Sequence, residues 1–286
     1  MTVMEAPSVG FQSLTNRIVL AQSLGEKAGV AQWSAYESGS GRPLYVLQVR
    51  IPERADGDID RVAVEYLKQS VHLQSAHPDS FPRSVAALRD GAFLWLVEER
   101  PPGTHLGELV ARGDLSRPKI AEIGLDILEA LSRAHAKGVV RGYISARQVW
   151  VDETGSVILS GSGFGALLTS GWMFGCSGSP NFAPEVRPLL PLRPSVDMWA
   201  LGRILNFALV GLRGDARPFA PLLSGLQKRD ADSRISCPMA RRFLLRLLRE
   251  RPRAVNSLLP TEPLLHAPAW CEGRPQGATV LHDISR

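Results

Sequence analysis

The fold class this sequence predicts is α+β: a small β-rich first third carrying one helix, then a larger, mostly helical remainder. Three observations predict it. Short alternating or β-branched runs crowd the stretch up to Val97, an apolar helical period runs from Ile120 to Ala136, and the longest apolar region, Met198 to Leu212, lies deep in the second part. With 286 residues and 44% hydrophobic content, the chain can bury a sizeable core and has the length of one two-part unit rather than two independent domains.

Taken in order, Ile18 to Leu24 alternates as a strand does and runs into Leu24-Gly25-Glu26-Lys27-Ala28-Gly29-Val30, a glycine-bearing turn. Leu44 to Arg50 reads as a strand and Ile59 to Leu73 has helical spacing. Ser84 to Leu88 and Phe93 to Val97 flank Arg89-Asp90-Gly91, whose Asp-Gly pair suits a hairpin. The helix over Ile120 to Ala136 ends near Gly138. Val149 and Val151, then Val157, Ile158 and Leu159, form two short strands around the turn Asp152-Glu153-Thr154-Gly155. Met198 to Leu212 is shorter than a membrane span and contains Arg203, so it reads as a buried central helix.

A net charge of +5 and the run Arg241, Arg242, Arg246, Arg249, Arg251, Arg253 raise the possibility of a nucleic-acid partner. Met239, Phe243, Leu244, Leu247 and Leu248, however, share one helical face, which makes most of those arginines the solvated side of an amphipathic helix. No zinc ligand set or interleaved aromatics accompany the charge, so nucleic acid is not the expected partner. Three cysteines, Cys176, Cys237 and Cys271, make neither a disulfide framework nor a metal site. With no signal-like start and no membrane segment, the expected location is the cytoplasm.

Helix, loop, hairpin and glycine-rich loop follow one another from Ile120 to Gly165, and in that order the stretch GVVRGYISARQVWVDETGSVILSGSGFG resembles the catalytic centre of a protein kinase. The family pattern falls on Arg141, Gly142 and Tyr143 for His-Arg-Asp, on Gln148 for the Asn, and on Gly161-Ser162-Gly163 for the metal-binding Asp-Phe-Gly. Gly178-Ser179-Pro180-Asn181-Phe182-Ala183-Pro184-Glu185 is similar to the end of an activation segment, and Ser195 to Gly202, with Asp197 and Trp199, to the buried helix after it. The resemblance places Arg251 where the family carries the arginine that pairs with Glu185, so a buried Glu185–Arg251 ion pair is expected. Upstream it puts Gly25, Lys27 and Val30 at the three glycines of the phosphate loop and Gln48 at the phosphate-pairing lysine of the third strand. Glu65 and Lys68 both compete for that lysine's glutamate partner. Trp199 is expected as a core tryptophan.

The resemblance thus implies a bilobal protein kinase-like fold: a tail over 1–16, an N-terminal lobe over 17–97, a hinge over 98–103, a C-terminal lobe over 104–271 and a second tail over 272–286. Short loops and an arginine-rich, lysine-poor composition are similar to the bacterial Ser/Thr kinase-like group. Every chemical position is changed. Gln48 brings no charge to a phosphate, Gly161 has no oxygen for a hard cation, and Tyr143, with an ordinary pKa of about 10, is a poor general base. Gln148 alone could coordinate only weakly. The expectation is a catalytically inactive pseudokinase that binds a protein partner as a regulator or scaffold, without Mg²⁺ and with nucleotide absent or bound without metal. Two other readings stand beside it: a weak or atypical transferase using displaced acids such as Glu65, Asp152 or Glu153, and a nucleic-acid binder using the arginine face. Whether the pocket is open or filled by Phe164 or Trp150 is left open at this point.

Overall fold

The computed structural model describes residues 17–27, 30–51, 59–170, 182–187 and 189–249. Both proposed tails, the end of the C-terminal lobe, Gly178 to Asn181, Arg251 and Arg253 therefore lie outside the described residues.

Five antiparallel strands build the first lobe: β1 (Ile18–Lys27), β2 (Val30–Glu37), β3 (Pro43–Arg50), β4 (Ser84–Asp90) and β5 (Phe93–Glu99), in the order β1-β2-β3-β5-β4. Helix α1 (Ile59–Ala76) crosses one face of this sheet. β3 is buried along nearly its whole length on both faces, which is why Leu44-Tyr45-Val46-Leu47-Gln48-Val49 shows no clean alternation. One face carries Tyr45, Leu47, Val49, Leu94 and Leu96 and packs on α1; the other carries Ala35, Leu44, Val46, Trp95 and Val97. The Asp-Gly hairpin forms as the sequence predicts, with Gly91 at φ 54°.

The second lobe opens with the two-residue β6 (Thr104–His105) and α2 (Leu106–Arg112), followed by α3 (Arg117–Ala136), which starts on a Ser116 side-chain cap and a proline. The short strands β7 (Val149–Val151) and β8 (Val157–Leu159) form the expected hairpin, its turn closed by Asp152, which accepts from the Ser156 N–H at 2.9 Å. Then come α4 (Phe164–Thr169), α5 (Pro194–Val210), α6 (Ala220–Leu226) and α7 (Cys237–Arg249). The core gathers Ile120, Ile123, Ile127 and Leu131 of α3 with Leu201, Ile204, Leu205 and Ala208 of α5 and Leu244 and Leu247 of α7. Arg241, Arg242, Arg246 and Arg249 are exposed as the solvated face of α7; Met239, expected among its apolar residues, is 42% exposed instead. Among the described residues no helix is long and apolar enough to cross a membrane.

Candidate functional site

The loop after α3, from Arg141 to Gln148, is fixed from below by one carboxylate. Asp197, fully buried in the first turn of α5, accepts from the Arg141 N–H at 3.0 Å and the Gly142 N–H at 2.7 Å, and its Oδ2 meets His135 Nε2 at 2.8 Å. Gly142 sits at φ 73°, and a Cβ there would come within 2.6 Å of Leu168, so the sequence must supply glycine. Burial works against a charged His135 ring, but hydrogen bonds to Asp197 and Cys237 outweigh it and push the pKa up to about 9. Asp197 therefore anchors the loop.

The side chains of this loop have turned to packing. The guanidinium of Arg141, completely buried, donates to the carbonyls of Leu159 at 3.2 Å and Ser160 at 2.5 Å and lies over the Phe81 ring. Burial lowers its pKa, while the carboxylates of Glu98 and Asp197 oppose that fall. Tyr143, at the family's base position, is 4% exposed, its ring centroid 5.5 Å from Phe164 and 5.0 Å from Phe182. Gln148 accepts from the Ser145 N–H at 2.9 Å and turns its amide nitrogen against Gly161. A Cβ on Gly161 would collide with that nitrogen and approach the Phe164 ring to 2.8 Å, at a φ of 73° that already disfavours side chains. Position 161 has no room for a carboxylate.

An inward-facing acid appears where the sequence offered a hinge. β5 runs through Glu99, so Glu98 is a strand residue, not the first hinge residue, and it is fully buried. Its carboxylate accepts from the Gly161 N–H at 2.8 Å, the Ser162 N–H at 3.0 Å and the Tyr66 hydroxyl at 2.7 Å. Burial, reinforced by Glu98, raises the Tyr66 phenol well above its usual pKa and keeps it a donor. Glu65 and Lys68 are both exposed; the residue α1 directs inward between them is Tyr66. Gly163 packs so closely beneath Tyr66 that a Cβ there would lie 2.5 Å from the ring.

Gln48 is displaced by one residue from its expected place. The register pairs Tyr45 with Glu98 and Gln48 with Trp95, which puts Gln48 on the sheet face turned away from the second lobe, accepting from Trp33 Nε1 at 3.3 Å. The neighbour on the inward face is Leu47, because side chains alternate and one step along a strand reverses the face. Tyr45 sits edge-on against Trp150 of β7, centroids 5.8 Å apart, and His105 packs on the same indole at 5.7 Å. Trp150 and Phe164 both join one apolar cluster that runs unbroken from β3 and α1 to Tyr143, Ile158 and Phe182. Lys27 pairs with Val30 and Gly25 with Gln32 between β1 and β2, and Arg147 donates to the Leu24 carbonyl at 2.6 Å. A Cβ on Gly25 would meet that guanidinium at 2.7 Å.

These residues do not fit a Mg²⁺ ion and the phosphates it would carry. Gly161 cannot bear a ligand, and the oxygen of Gln148 is taken by the backbone. Among the described residues no group of three or more His, Cys, Asp or Glu side chains converges. Of the displaced acids, Glu65 is exposed on α1 and Asp152 closes its own hairpin turn through Thr154 and Ser156.

The other structural expectations divide. Glu185 is ion-paired, but with Arg234: one guanidinium nitrogen reaches Oε2 at 2.7 Å, the second Oε1, and Arg234 also donates to the Ser195 carbonyl at 2.8 Å. Arg251, the partner expected for Glu185, lies outside the described residues. Trp199 is half-buried and lies beneath the Arg234 guanidinium at 5.1 Å, at the edge of the core instead of within it. Tyr66, Arg147, His135 and Arg234 were not singled out from the sequence, Arg141 was placed only as the first residue of the loop pattern, and Glu98 only as the start of the hinge. The placement of Asp230 and Asp232 beside Arg234, in the turn before α7, was the one local hint of a structured arginine.

No family model matches the chain. Over 115 residues, 39% of this chain, it is 36% identical to human serine/threonine-protein kinase PAK 4 and spans 20% of that protein. It is 30% identical over 149 residues to calcium/calmodulin-dependent protein kinase type 1 of Caenorhabditis briggsae, covering 49% of this chain and 42% of that protein. It therefore spans well under half the length of these curated relatives. Among solved structures, the Mycobacterium tuberculosis PknI kinase domain superposes with a TM-score of 0.58 at 15% identity, covering 80% of this chain and 96% of that one. Sheet order, the Asp197-held loop and these similarities together show a protein kinase-like fold.

Proposed function

We propose that this protein is a pseudokinase: a kinase-like fold that transfers no phosphoryl group, binds no nucleotide in the usual mode, and acts by holding a protein partner. The observation that carries the reading is the direct Tyr45–Trp150 contact, with Arg147 strapped to the Leu24 carbonyl, in the space between the lobes where the family binds its nucleotide. Phosphoryl transfer depends on positioning and charge neutralisation, and loss of one such group already lowers a rate by orders of magnitude. Here the lysine, metal-ligand and base positions carry Leu47, Gly161 and Tyr143; Leu47 and Tyr143 are packed into one apolar cluster, and Gly161 is closed in by Gln148, Phe164 and Glu98. A fold that retains Asp197, Glu185 and its lobe packing while filling the cleft is suited to presenting surfaces.

Thermal melts with ATP, with and without Mg²⁺, test the reading. No shift beyond about 1 °C is expected in either arm, since a ligand at a hundred times its Kd stabilises by about 2.7 kcal/mol and moves a melt by several degrees. A Mg²⁺-dependent rise, or transfer of labelled phosphate to a generic substrate that Tyr143→Phe abolishes, overturns it.

A further inference from the structure

Among the described residues, Leu189 and Leu190 are the only neighbouring large apolar residues that are both exposed, at 75% and 56%. They lie in the loop that leads into α5. Leu189 has φ 57° and is the one non-glycine residue with a positive φ among the described residues. That conformation crowds Cβ against the following carbonyl, so a leucine is disfavoured there. The side chain, three-quarters exposed, offsets little of the strain by packing within its own chain. Two exposed arginines, Arg187 and Arg193, flank the pair. Arg193 meets Asp232 in an exposed ion pair, of a kind that exchanges partners readily.

A hollow of matching chemistry opens between α2, the start of α3 and the β7–β8 turn, with a volume of about 320 Å³. Its depth is apolar, lined by Leu109 and by the buried Leu115 and Val151. Around these stand the carboxylates of Asp114, Asp152 and Glu153, against the single ammonium of Lys119, which donates to the Gly155 carbonyl at 3.2 Å. Asp114 and Glu153 are exposed, so the rim is acidic. Asp114 is engaged only by the equally exposed Arg213, at 3.3 Å. The volume is at the lower bound of small-molecule sites, which favours a few side chains as the occupant.

One chain cannot seat its own leucines in this hollow. Lys119 lies in the first turn of α3, whose 20 residues span about 30 Å. The leucine loop lies beyond the other end of that helix, where Leu192 packs against Gly142. We infer that Leu189 and Leu190 of one copy enter the cavity of a second copy, with Arg187 and Arg193 meeting Asp114 and Glu153 at its rim. The match is double, apolar to apolar and basic to acidic. A foreign segment would have to offer the combination of leucines and flanking arginines that this chain already carries. On a chain of net charge +5, the acidic rim is also a local exception that favours one mode of approach between copies. The inference goes beyond the function proposed above and does not depend on it, since it uses none of the residues that fill the cleft and association is measured without nucleotide.

Sedimentation velocity of the full chain at rising concentration tests the contact. Wild type should associate reversibly, and added salt should weaken the association about threefold or more as the charged contacts are screened. Two variants each remove one half of the contact. Leu189→Gly with Leu190→Ser keeps the cavity, and Asp114→Lys with Glu153→Lys keeps the leucines; each alone should stay monomeric. Mixed in equal amounts, they should recover a pair and grow no further, because each supplies the half that the other lacks. Melting separates contact from fold: the leucine variant should melt no lower than monomeric wild type, since glycine relieves the strained backbone at position 189. A wild type that stays monomeric throughout, oligomers that persist in either variant, a mixture no heavier than its components, or association that salt leaves unchanged would each overturn the proposal.

Discussion

Two regions meet at the loop from Arg141 to Gln148 and hold it by different means. On the helical side, Asp197 grips the backbone N–H groups of Arg141 and Gly142, an arrangement indifferent to which side chains the loop carries. On the sheet side, Glu98 grips the backbone N–H groups of Gly161 and Ser162 and the Tyr66 hydroxyl. Both are buried carboxylates bonded to main chain, and Arg141 lies under the influence of both. The first belongs to the shared framework of the fold. The second stands at the cleft, where the resemblance led one to expect reactive side chains, and it ties the glycine loop to β5 and α1. The contrast teaches that the cleft is held by a structural network of its own.

The largest expected effect comes from breaking the Glu98 network. Glu98→Ala leaves three donors without an acceptor and removes a counter-charge from Arg141, so it should destabilise by about 3 to 5 kcal/mol in urea unfolding. Glu98→Gln keeps the shape and one acceptor oxygen and should cost about 2 kcal/mol. If Glu98→Ala unfolded within about 1 kcal/mol of wild type, the sheet-side anchor would be ornamental and the comparison would collapse to Asp197 alone.

The helical-side anchor can be weakened by pH instead of mutation. The His135 ring in the fold has its pKa raised to about 9, against about 6.5 in the unfolded chain. A raised pKa means the folded state binds the proton more tightly, so the contribution is fully present below about pH 6.5 and is lost as pH climbs through about 9. That difference corresponds to about 3 kcal/mol across the window. Urea midpoints measured from pH 6 to pH 10 should fall accordingly, and His135→Gln should flatten the decline. A wild-type profile as flat as the variant's would show that Asp197 holds the loop without help from a charged imidazole.

How legible these regions were in the sequence follows the same division. α3, the β7–β8 hairpin and α5 were readable because one covered face imposes a period, and Asp197 because it sits in a motif whose spacing is specific. Gln48 was misplaced by one step because β3 is buried on both faces, and a strand without alternation carries no signal of which residue points where. Glu98 was read as hinge because a carboxylate normally marks exposure. Its partners are Tyr66 and two backbone groups more than sixty residues further on, and nothing local encodes that pairing. Glu185 was expected in an ion pair with Arg251, placed there by the resemblance; Arg234, which does bond it, sits in no motif, and only its three-dimensional surroundings single it out.

The smallest effect concerns the strap between lobes. Arg147 reaches from the loop to a single carbonyl, Leu24, and this contact is only partly buried. Arg147→Ala should therefore lower global stability by about 1 kcal/mol or less. Its local consequence should be larger than its global one, because β1 is the outermost strand of the sheet and opens most easily. Amide exchange in β1 should accelerate while β3 and β5 keep their protection. If β3 accelerated equally, the strap would be supporting the whole sheet. If β1 were unchanged, the contact between the sheet and the second lobe would rest on Tyr45, Trp150 and Glu98, and the Arg147 bond would hold nothing in place.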